Sequence, residues 1–297
     1  MSLDELSRVV AATMDARSIA EGACNFGVSG LRLFRFQNTT SFSPMTYRPH
    51  VCMVVQGGKE LTFQDRNIPL RPGTAIVISQ HLSAISRVSD ASAETPYLAA
   101  VMPIDMDRLR RVLDRLEGPS EKEAAAQSLR TFPFDVALLQ TLRRILDLVP
   151  QSPGAQLLSD TYQEEFHALL LLSEAGGDLR RLLTENSKAN RVARTIAHIR
   201  ANLEAGSTIQ DLMEISGMSK STLHETFRTA TGQTPLQFQK DLRLLEARSL
   251  LTTIKEPVTQ IAYTVGYSSP TQFARDYKRA FGRTPMQDRT SVVEELI

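Results

Sequence analysis

The N-terminal part of the chain carries short apolar runs that are separated by glycine and proline. Leu31 and Leu33 alternate with arginines, residues 51–55 form an uninterrupted apolar run, and residues 75–78 form another after a proline–glycine pair. Short runs with turn residues at intervals of roughly ten residues are typical of an antiparallel barrel or sandwich. We predict a β-barrel in this part of the chain, with the run 51–55 as one of its strands.

After the barrel segment the pattern changes to leucines at helical spacing. Three stretches open near an acidic residue and are separated by prolines, namely 105–117, 135–149 and 160–174. An acidic start followed by apolar residues at every third or fourth position is typical of an amphipathic helix. We therefore predict three helices. Leu138 and Leu142 give the second helix a face that packs within the domain or forms the seam of a homodimer.

The C-terminal part contains an internal repeat. Residues 209–219 align with 258–268, and residues 223–235 align with 273–285, at an offset of about 50 residues. In each copy a helix is followed by a glycine, which suits a left-handed turn, and by a serine that can cap a second helix. This is the helix-turn-helix motif, whose second helix enters the major groove of DNA. We place the two motifs at about 208–230 and 257–281.

A long helix is predicted between the two motifs, over about 235–252, because apolar residues recur there at helical spacing without glycine or an internal proline. Such a helix holds two recognition helices at a fixed separation, which is ~34 Å if both face one side of a duplex. The polar stretch 184–190 predicts a linker between a regulatory domain, 1–183, and a DNA-binding domain, 191–297.

Charge indicates a nucleic-acid partner for the C-terminal part. The 297 residues carry a net charge of +1, but residues 187–297 carry +4 and residues 1–186 carry −3. A local excess of positive charge is expected of a nucleic-acid surface. Two cysteines, Cys24 and Cys52, make no disulfide framework, and the apolar runs are too short for a membrane helix. Because the polar start of the chain also predicts no secretory signal, we expect a cytoplasmic, nucleoid-associated protein.

Several segments resemble the AraC-type transcriptional regulators. The resemblance covers residues 190–290 and rests on the tandem motifs, on residues 243–251 of the long helix, and on residues 266–269 followed by 273–285. Residues 47–59, with their Tyr-x-Pro-x-x-Cys start and Val-Gln-Gly-Gly-Lys end, are similar to an aldehyde-responsive subgroup of that family. In this subgroup the N-terminal region is a cupin-like regulatory domain.

The resemblance implies an α+β chain. A cupin-like β-barrel with trailing helices precedes an all-α domain of two helix-turn-helix units joined by a long helix. It also implies a ligand-responsive, DNA-binding regulator of transcription. We expect no cofactor and no metal. The partners that we expect are double-stranded DNA at a promoter or operator, RNA polymerase, a small-molecule effector such as a reactive aldehyde, and a second copy of the chain, which paired operator half-sites favour.

Outward positions on the two recognition helices are the candidate DNA contacts. The candidate base readers are Ser221, His224, Glu225, Thr271, Gln272 and Arg275, of which the resemblance supplies the first three. The candidate phosphate contacts are Lys220, Arg228, Lys278, Arg279 and Arg283. Arg275 suits guanine and Gln272 suits adenine. Glu225 departs from the basic or amide residue frequent in the family and repels phosphate, so we expect the second motif to dominate binding.

An enzyme is the rival interpretation of the N-terminal domain, since many cupin barrels bind catalytic metals. Such a site needs about three histidine or carboxylate ligands. The barrel region has only His50 and His81, which we predict to be polar residues at the barrel rim. A metal-dependent cupin enzyme fused to a DNA-binding module stays the alternative function. A third interpretation makes the barrel a module for dimerisation or polymerase contact.

Cys52 has two interpretations. As a free cysteine within an apolar strand it is a small buried side chain. Alternatively, its thiol senses an electrophile such as a reactive aldehyde, which requires a lowered thiol pKa. In the local sequence only Arg48 and Lys59 could supply the positive charge for that shift.

Overall fold

The apolar runs of the N-terminal part form strands of two antiparallel sheets. The computed structural model describes residues 2–27, 29–116, 127–148, 152 and 154–294, without the side chains of 252, 253 and 290–294. It divides into two units, Met1–Asn190 and Arg191–Ile297. The strands are β1 (Gly22–Asn25), β2 (Arg32–Phe36), β3 (Ser43–Tyr47), β4 (His50–Gln56), β5 (Gly58–Phe63), β6 (Arg66–Leu70), β7 (Thr74–Ile78), β8 (Leu82–Asp90), β9 (Tyr97–Pro103) and β10 (Leu129–Pro133).

The larger sheet is buried on both faces. Its strand order is β1-β2-β9-β4-β7-β10, and the order of the smaller sheet is β3-β8-β5-β6. Alternate residues of β4 show the two faces. Val51 and Met53 join the core on the helical side, whereas Cys52 and Val54 join the core shared with the smaller sheet. A strand that is buried on both faces needs apolar residues at every position, which explains the uninterrupted run 51–55.

The predicted closed β-barrel is wrong. Within the part of the chain that the structure describes, no strand pairing joins the two sheets. The larger sheet continues to β10, which pairs with β7 from Leu129↔Ile78 to Pro133↔Thr74. Helices cover its outer face, so the unit has three layers: helices, a six-stranded sheet and a four-stranded sheet. The larger sheet is therefore an open sheet with helices on its outer face.

Helices flank these sheets at positions that partly differ from the prediction. They are α1 (Leu3–Asp15), α2 (Met106–Leu113), α3 (Val136–Leu146), α4 (Ala155–Leu172) and α5 (Gly176–Leu183). The Asp105 and Asp135 carboxylates accept hydrogen bonds from backbone N–H groups and so cap α2 and α3, as the acidic starts of these helices predicted. The predicted ends of these two helices, residues 117 and 149, lie outside the described residues. Neither α1 nor α5 was predicted, although Ser2 and Glu5 form a capping box at the start of α1.

Ion pairs attach β10 and α1 to the rest of the N-terminal unit. Asp178 on α5 forms ion pairs with Arg130 on β10 and with Arg181. Burial alone would raise the pKa of Asp178, but hydrogen bonds from both arginines lower it below its ordinary value. Arg35 on β2 pairs with Asp15 at the end of α1, over 2.6 Å. These pairs join elements that are distant in the sequence.

The C-terminal unit is helical. Its helices are α6 (Lys188–Ala201), α7 (Ile209–Ser216), α8 (Lys220–Thr231), α9 (Pro235–Thr253), α10 (Val258–Thr264), α11 (Pro270–Phe281) and α12 (Pro285–Glu294). α6 begins within the stretch that was predicted as a linker. Two apolar cores share α9: Phe238 and Leu242 pack with α7 and α8, whereas Leu244, Ala247 and Leu251 pack with α10 and α11. No helix of the described residues is long and apolar enough to span a membrane.

Candidate nucleic-acid interface

The first helix-turn-helix is built by α7 and α8. Thr208 and Asp211 form a capping box at the start of α7, and Gly217 ends the helix with a φ of 62°. That positive φ is the left-handed conformation which favours glycine. On α8, Leu223 and Phe227 are fully buried and fix which side of the helix faces the core. The opposite side of α8 is therefore presented to solvent.

The second helix-turn-helix repeats this construction with α10 and α11. Gly266 supplies the left-handed turn, with a φ of 87°. Phe273 and Tyr277 are fully buried, and the Tyr277 hydroxyl donates a hydrogen bond of 2.7 Å to Asp288 on α12. Aromatic side chains at i and i+4 thus anchor one side of α11, and the other side is left for a partner.

Serines cap both recognition helices at the predicted positions. The Thr222 N–H donates to Ser219 Oγ, and the Gln272 N–H donates to Ser269 Oγ. Each bond satisfies one of the N–H groups that a helix start leaves unpaired. The capping serines therefore hold the ends of α8 and α11 from which the first candidate base readers project.

Removal of either cap is expected to lower the free energy of unfolding of the C-terminal unit by about 1 kcal/mol. The variants are Ser219→Ala and Ser269→Ala, measured by denaturant unfolding of the full chain. Ser268→Ala is the matched control, because Ser268 is exposed and does not cap α11. A loss no greater than that of the control would contradict the capping role.

The structure places every candidate DNA-contacting residue at the surface. On α8, the exposed members are Lys220, Ser221, Glu225 and Arg228, and His224 is partly exposed. On α11 and the turn after it, the exposed members are Thr271, Gln272, Arg275, Lys278, Arg279 and Arg283. The buried apolar side of each helix leaves these positions on its solvent side. Their contacts with DNA stay a prediction.

Two arginines one turn apart on α11 differ in their partners. The Arg279 guanidinium pairs with Asp276, whereas the Arg275 side chain has no hydrogen bond or ion pair within the described part of the chain. Asp276 is almost completely buried and also binds the Lys240 ammonium on α9, at 2.7 Å. The Arg275 guanidinium thus has no partner within the described residues, whereas the Arg279 guanidinium is already oriented by a carboxylate.

The polar residues that support α11 were not predicted from the sequence. Asp276 and Lys240 lie 36 positions apart in the chain, so no local pattern connects them. A signal was present, however, because Asp276 directly precedes the buried Tyr277 and falls on the inner side of an otherwise amphipathic helix. A carboxylate in that position needs a buried cation as its partner.

In the N-terminal unit, Cys52 lies between the two sheets. Its side chain is 5% exposed and packs in the core with Val54 and Tyr97. Burial raises the pKa of the Cys52 thiol, although Lys59 and a hydrogen bond with Tyr97 act in the opposite direction. The neutral thiol is therefore favoured, and it is a weaker nucleophile than the thiolate.

The two histidines of this region, which were predicted to be polar residues at the barrel rim, are buried: His50 and His81 are each 8% exposed. The His50 Nδ1 lies 2.7 Å from the Arg48 carbonyl oxygen, its ring stacks on Tyr47, and burial lowers its pKa to about 4. Neutral imidazole is therefore the form that fits this core. The residues that the structure describes contain no group of three or more His, Cys, Asp or Glu side chains that could hold a metal ion.

Labelling of Cys52 is expected to be slow in the native chain, because the thiolate fraction is small and the side chain is enclosed. A Cys24→Ala variant leaves Cys52 as the one thiol, and a chromogenic disulfide reagent at neutral pH reports its rate. The same variant in denaturant is the control and should react at the rate of free cysteine. Equal native and denatured rates would contradict the burial argument and favour a sensing thiol.

Comparison with known proteins matches both units. A family model described as the N-terminus of AraC-type transcriptional regulators covers residues 27–178, and a helix-turn-helix domain model covers residues 212–291. The transcriptional regulator CdhR of Pseudomonas aeruginosa is 30% identical over 146 residues, which are 49% of this chain and 43% of CdhR. The transcriptional activator RhaS of Escherichia coli is 31% identical over 155 residues, which are 52% of this chain and 55% of RhaS. Each match thus spans about half of the relative.

Solved structures show the same fold over most of the chain. An apo ToxT variant from Vibrio cholerae has a TM-score of 0.64 and 13% identity, and the match covers 91% of this chain and 98% of ToxT. Wild-type ToxT with a bound unsaturated fatty acid has a TM-score of 0.60 and 12% identity over 87% of this chain. At such identities the likeness is one of fold. With the N-terminal family model spanning half of the chain and the helix-turn-helix model covering the repeat, the chain belongs to the AraC-type transcriptional regulators.

Proposed function

We propose that this protein regulates transcription by binding double-stranded DNA in a sequence-specific manner through both helix-turn-helix units. One observation carries the proposal. Two recognition helices, α8 and α11, bury their apolar sides in separate cores of one unit and turn cationic and amide side chains to solvent. A pair of such helices joined by α9 is suited to two successive major-groove segments on one side of a duplex.

The exposed residues divide by chemistry into two roles. We assign base reading to Ser221, His224, Glu225, Thr271, Gln272 and Arg275. We assign phosphate contact to Lys220, Arg228, Lys278, Arg279 and Arg283. An arginine can donate two hydrogen bonds to guanine O6 and N7, and an amide can pair with an adenine edge. The exposed carboxylate of Glu225 can accept a hydrogen bond from cytosine but repels phosphate, so α11 supplies the greater part of the affinity.

The N-terminal unit is proposed to sense a small molecule or to join two copies of the chain. A ligand that binds one state of the protein more tightly than another shifts the population by that difference in affinity. The fatty acid held by ToxT shows that a protein of this fold can carry an apolar ligand. We retain a reactive aldehyde as a candidate effector through Cys52, RNA polymerase as a partner, and a cytoplasmic, nucleoid-associated location.

Selection from a library of random duplexes tests DNA recognition. The full-length chain is expected to enrich one sequence with two recognised segments, and the enriched duplex is expected to bind about 10³-fold or more tightly than a scrambled duplex. A Glu214→Gln variant, altered on the exposed part of α7, is a control that should enrich the same sequence. A library that stays random after repeated rounds would contradict the proposal.

A thermal-shift screen of the full-length chain against small metabolites tests the sensing role. A ligand present at 100 times its dissociation constant should stabilise the folded state by ~2.7 kcal/mol. Aldehydes are screened in parallel on the wild-type chain and on the Cys52→Ser variant. A stabilising aldehyde that still acts on the variant would rule out thiol sensing, and one that acts on the wild type alone would support it. If nothing in the screen stabilises the chain, dimerisation becomes the preferred role.

A further inference from the structure

Polar residues on one side of α9 contact both helix-turn-helix motifs. Gln239 on this side contacts the loop before α7: the Ser207 N–H donates to Gln239 Oε1 over 2.8 Å. Lys240, the next residue, reaches the other way and binds Asp276 on the recognition helix α11. Gln239 and Lys240 are adjacent on α9 and thus contact different helix-turn-helix motifs.

Arg243 lies one turn further along the same side of α9. Its Nε donates to the Leu203 carbonyl oxygen over 2.8 Å, and its Nη2 donates to the Glu204 carbonyl oxygen over 3.3 Å. These carbonyls follow the end of α6, where a helix leaves acceptors unpaired. No carboxylate pairs with Arg243 in the described part of the chain. The Arg243 guanidinium therefore binds two backbone carbonyl oxygens in the segment between α6 and α7.

The turn of the second motif meets Arg243 at the same place. A Cβ atom added at Gly266 would lie 2.4 Å from the Glu204 carbonyl oxygen, 2.7 Å from the Leu203 carbonyl oxygen and 2.6 Å from Arg243 Nη2. Such distances leave no room for any side chain. Gly266 is thus required twice, by its positive φ and by this close approach. The turn of the second motif and the segment that follows α6 are thus in direct contact beside the Arg243 guanidinium.

Each helix-turn-helix motif packs its apolar core on a different part of α9. Apolar contacts are non-directional, whereas hydrogen bonds require defined distances and angles. The length of α9 sets the separation of the two motifs, and a directional contact between them restricts their relative rotation. In the C-terminal unit such a contact is made by Arg243, the Leu203 and Glu204 carbonyls, and the Gly266 turn.

We propose that this set, here named the Arg243 clasp, fixes the rotation of α11 relative to α8 and so determines the spacing of DNA segments that the protein accepts. Arg243 acts as a positioning residue and does not contact DNA. The inference rests on the proposed function, because spacing has meaning only for a protein that reads two segments.

The test measures affinity as a function of spacing. The probe is the duplex enriched by the full-length wild-type chain, with none, one, two or five base pairs inserted between its two recognised segments. Wild type is compared with Arg243→Ala and with Lys255→Ala. The second variant removes the same charge from an exposed residue after α9 that has no ion pair among the described residues. Titrations are run at several salt concentrations.

Wild type and Lys255→Ala are expected to lose at least about tenfold in affinity when two base pairs are inserted, because both segments can no longer be engaged together. Arg243→Ala is expected to bind about tenfold more weakly at the selected spacing and to change by no more than about threefold across the short insertions. Its salt dependence should equal that of wild type, since no phosphate contact is lost.

Three results would overturn the clasp. One is a spacing profile of Arg243→Ala that equals the wild-type profile. Another is an equal loss at every spacing with a salt slope reduced by about one, which would make Arg243 a phosphate contact. If Arg243→Ala loses cooperative unfolding, Arg243→Lys takes its place, because lysine keeps the charge but replaces the planar guanidinium, which donates from two nitrogens, with a single donor nitrogen. A wild-type spacing profile for that variant is the third result. A wild-type chain that enriches no duplex would instead contradict the proposed function itself.

Discussion

Arg275→Ala is expected to weaken binding to the enriched duplex by about 1–3 kcal/mol, or about 5- to 150-fold, and to relax the choice of base at one position. The Arg275 side chain is exposed on α11 and has no partner within the described part of the chain. Two hydrogen bonds to guanine would be lost, and no internal ion pair changes. Titration against the enriched duplex and against its single-base variants measures both effects.

Arg279→Ala is the matched control for Arg275→Ala. Both residues are exposed arginines on α11, but Arg279 pairs with Asp276 and is assigned to phosphate. Its removal should weaken binding to all single-base variants alike and lower the salt slope by about one. If Arg275→Ala shows this uniform pattern instead, or leaves affinity and preference unchanged, Arg275 is not a base reader.

Acidification is expected to destabilise the N-terminal unit by about 2 kcal/mol between pH 7 and pH 5, with about 3 kcal/mol as the full effect of His50. Burial lowers the pKa of His50 from 6.5 to about 4 in the folded state. Below pH 6.5 the unfolded chain therefore binds a proton that the folded chain does not. The contribution of His50 to stability is present above the unfolded pKa and is lost as the pH falls towards 4.

His167 acts in the same direction. Burial lowers its pKa, and its neutral Nε2 accepts a hydrogen bond of 2.9 Å from the Asp105 N–H at the start of α2. A protonated ring could not accept that bond. Two histidines thus favour the unfolded chain at acidic pH, and both belong to the N-terminal unit.

Denaturant unfolding of the full chain at pH 7 and pH 5 measures the acid effect. His50→Gln should reduce the pH dependence of the free energy of unfolding by about 2 kcal/mol, since the glutamine does not titrate. His224→Gln, altered at a partly exposed histidine of the C-terminal unit, should leave it nearly as in wild type. Equal pH dependence in wild type and His50→Gln would show that His50 is not held neutral by the fold.

Local signals explain which parts of the fold could be predicted. The turns at Gly217 and Gly266 and the caps at Ser219 and Ser269 follow from the conformational freedom of glycine and the short reach of a serine hydroxyl. Repetition of these signals about 50 residues apart made the two motifs recognisable. Each of these features is decided within a few neighbouring residues.

Non-local pairing explains what the sequence did not predict. β10 is a strand because β7 offers it an edge, and its Arg130 meets a carboxylate on α5 that lies 48 positions away. The apolar run on β4 does not distinguish a barrel from a layered sheet. Likewise, the partners of Arg243 and Asp276 lie on other helices, so neither role is visible in a local pattern.

A hydroxyl-radical footprint of the full-length chain on its enriched duplex tests most directly whether both recognition helices bind DNA. We expect two protected segments on one side of the duplex, with centres about 10 base pairs apart. We also expect that Arg275→Ala weakens protection of one segment more than of the other. A single protected segment, or none, would show that the protein does not bind DNA through both recognition helices.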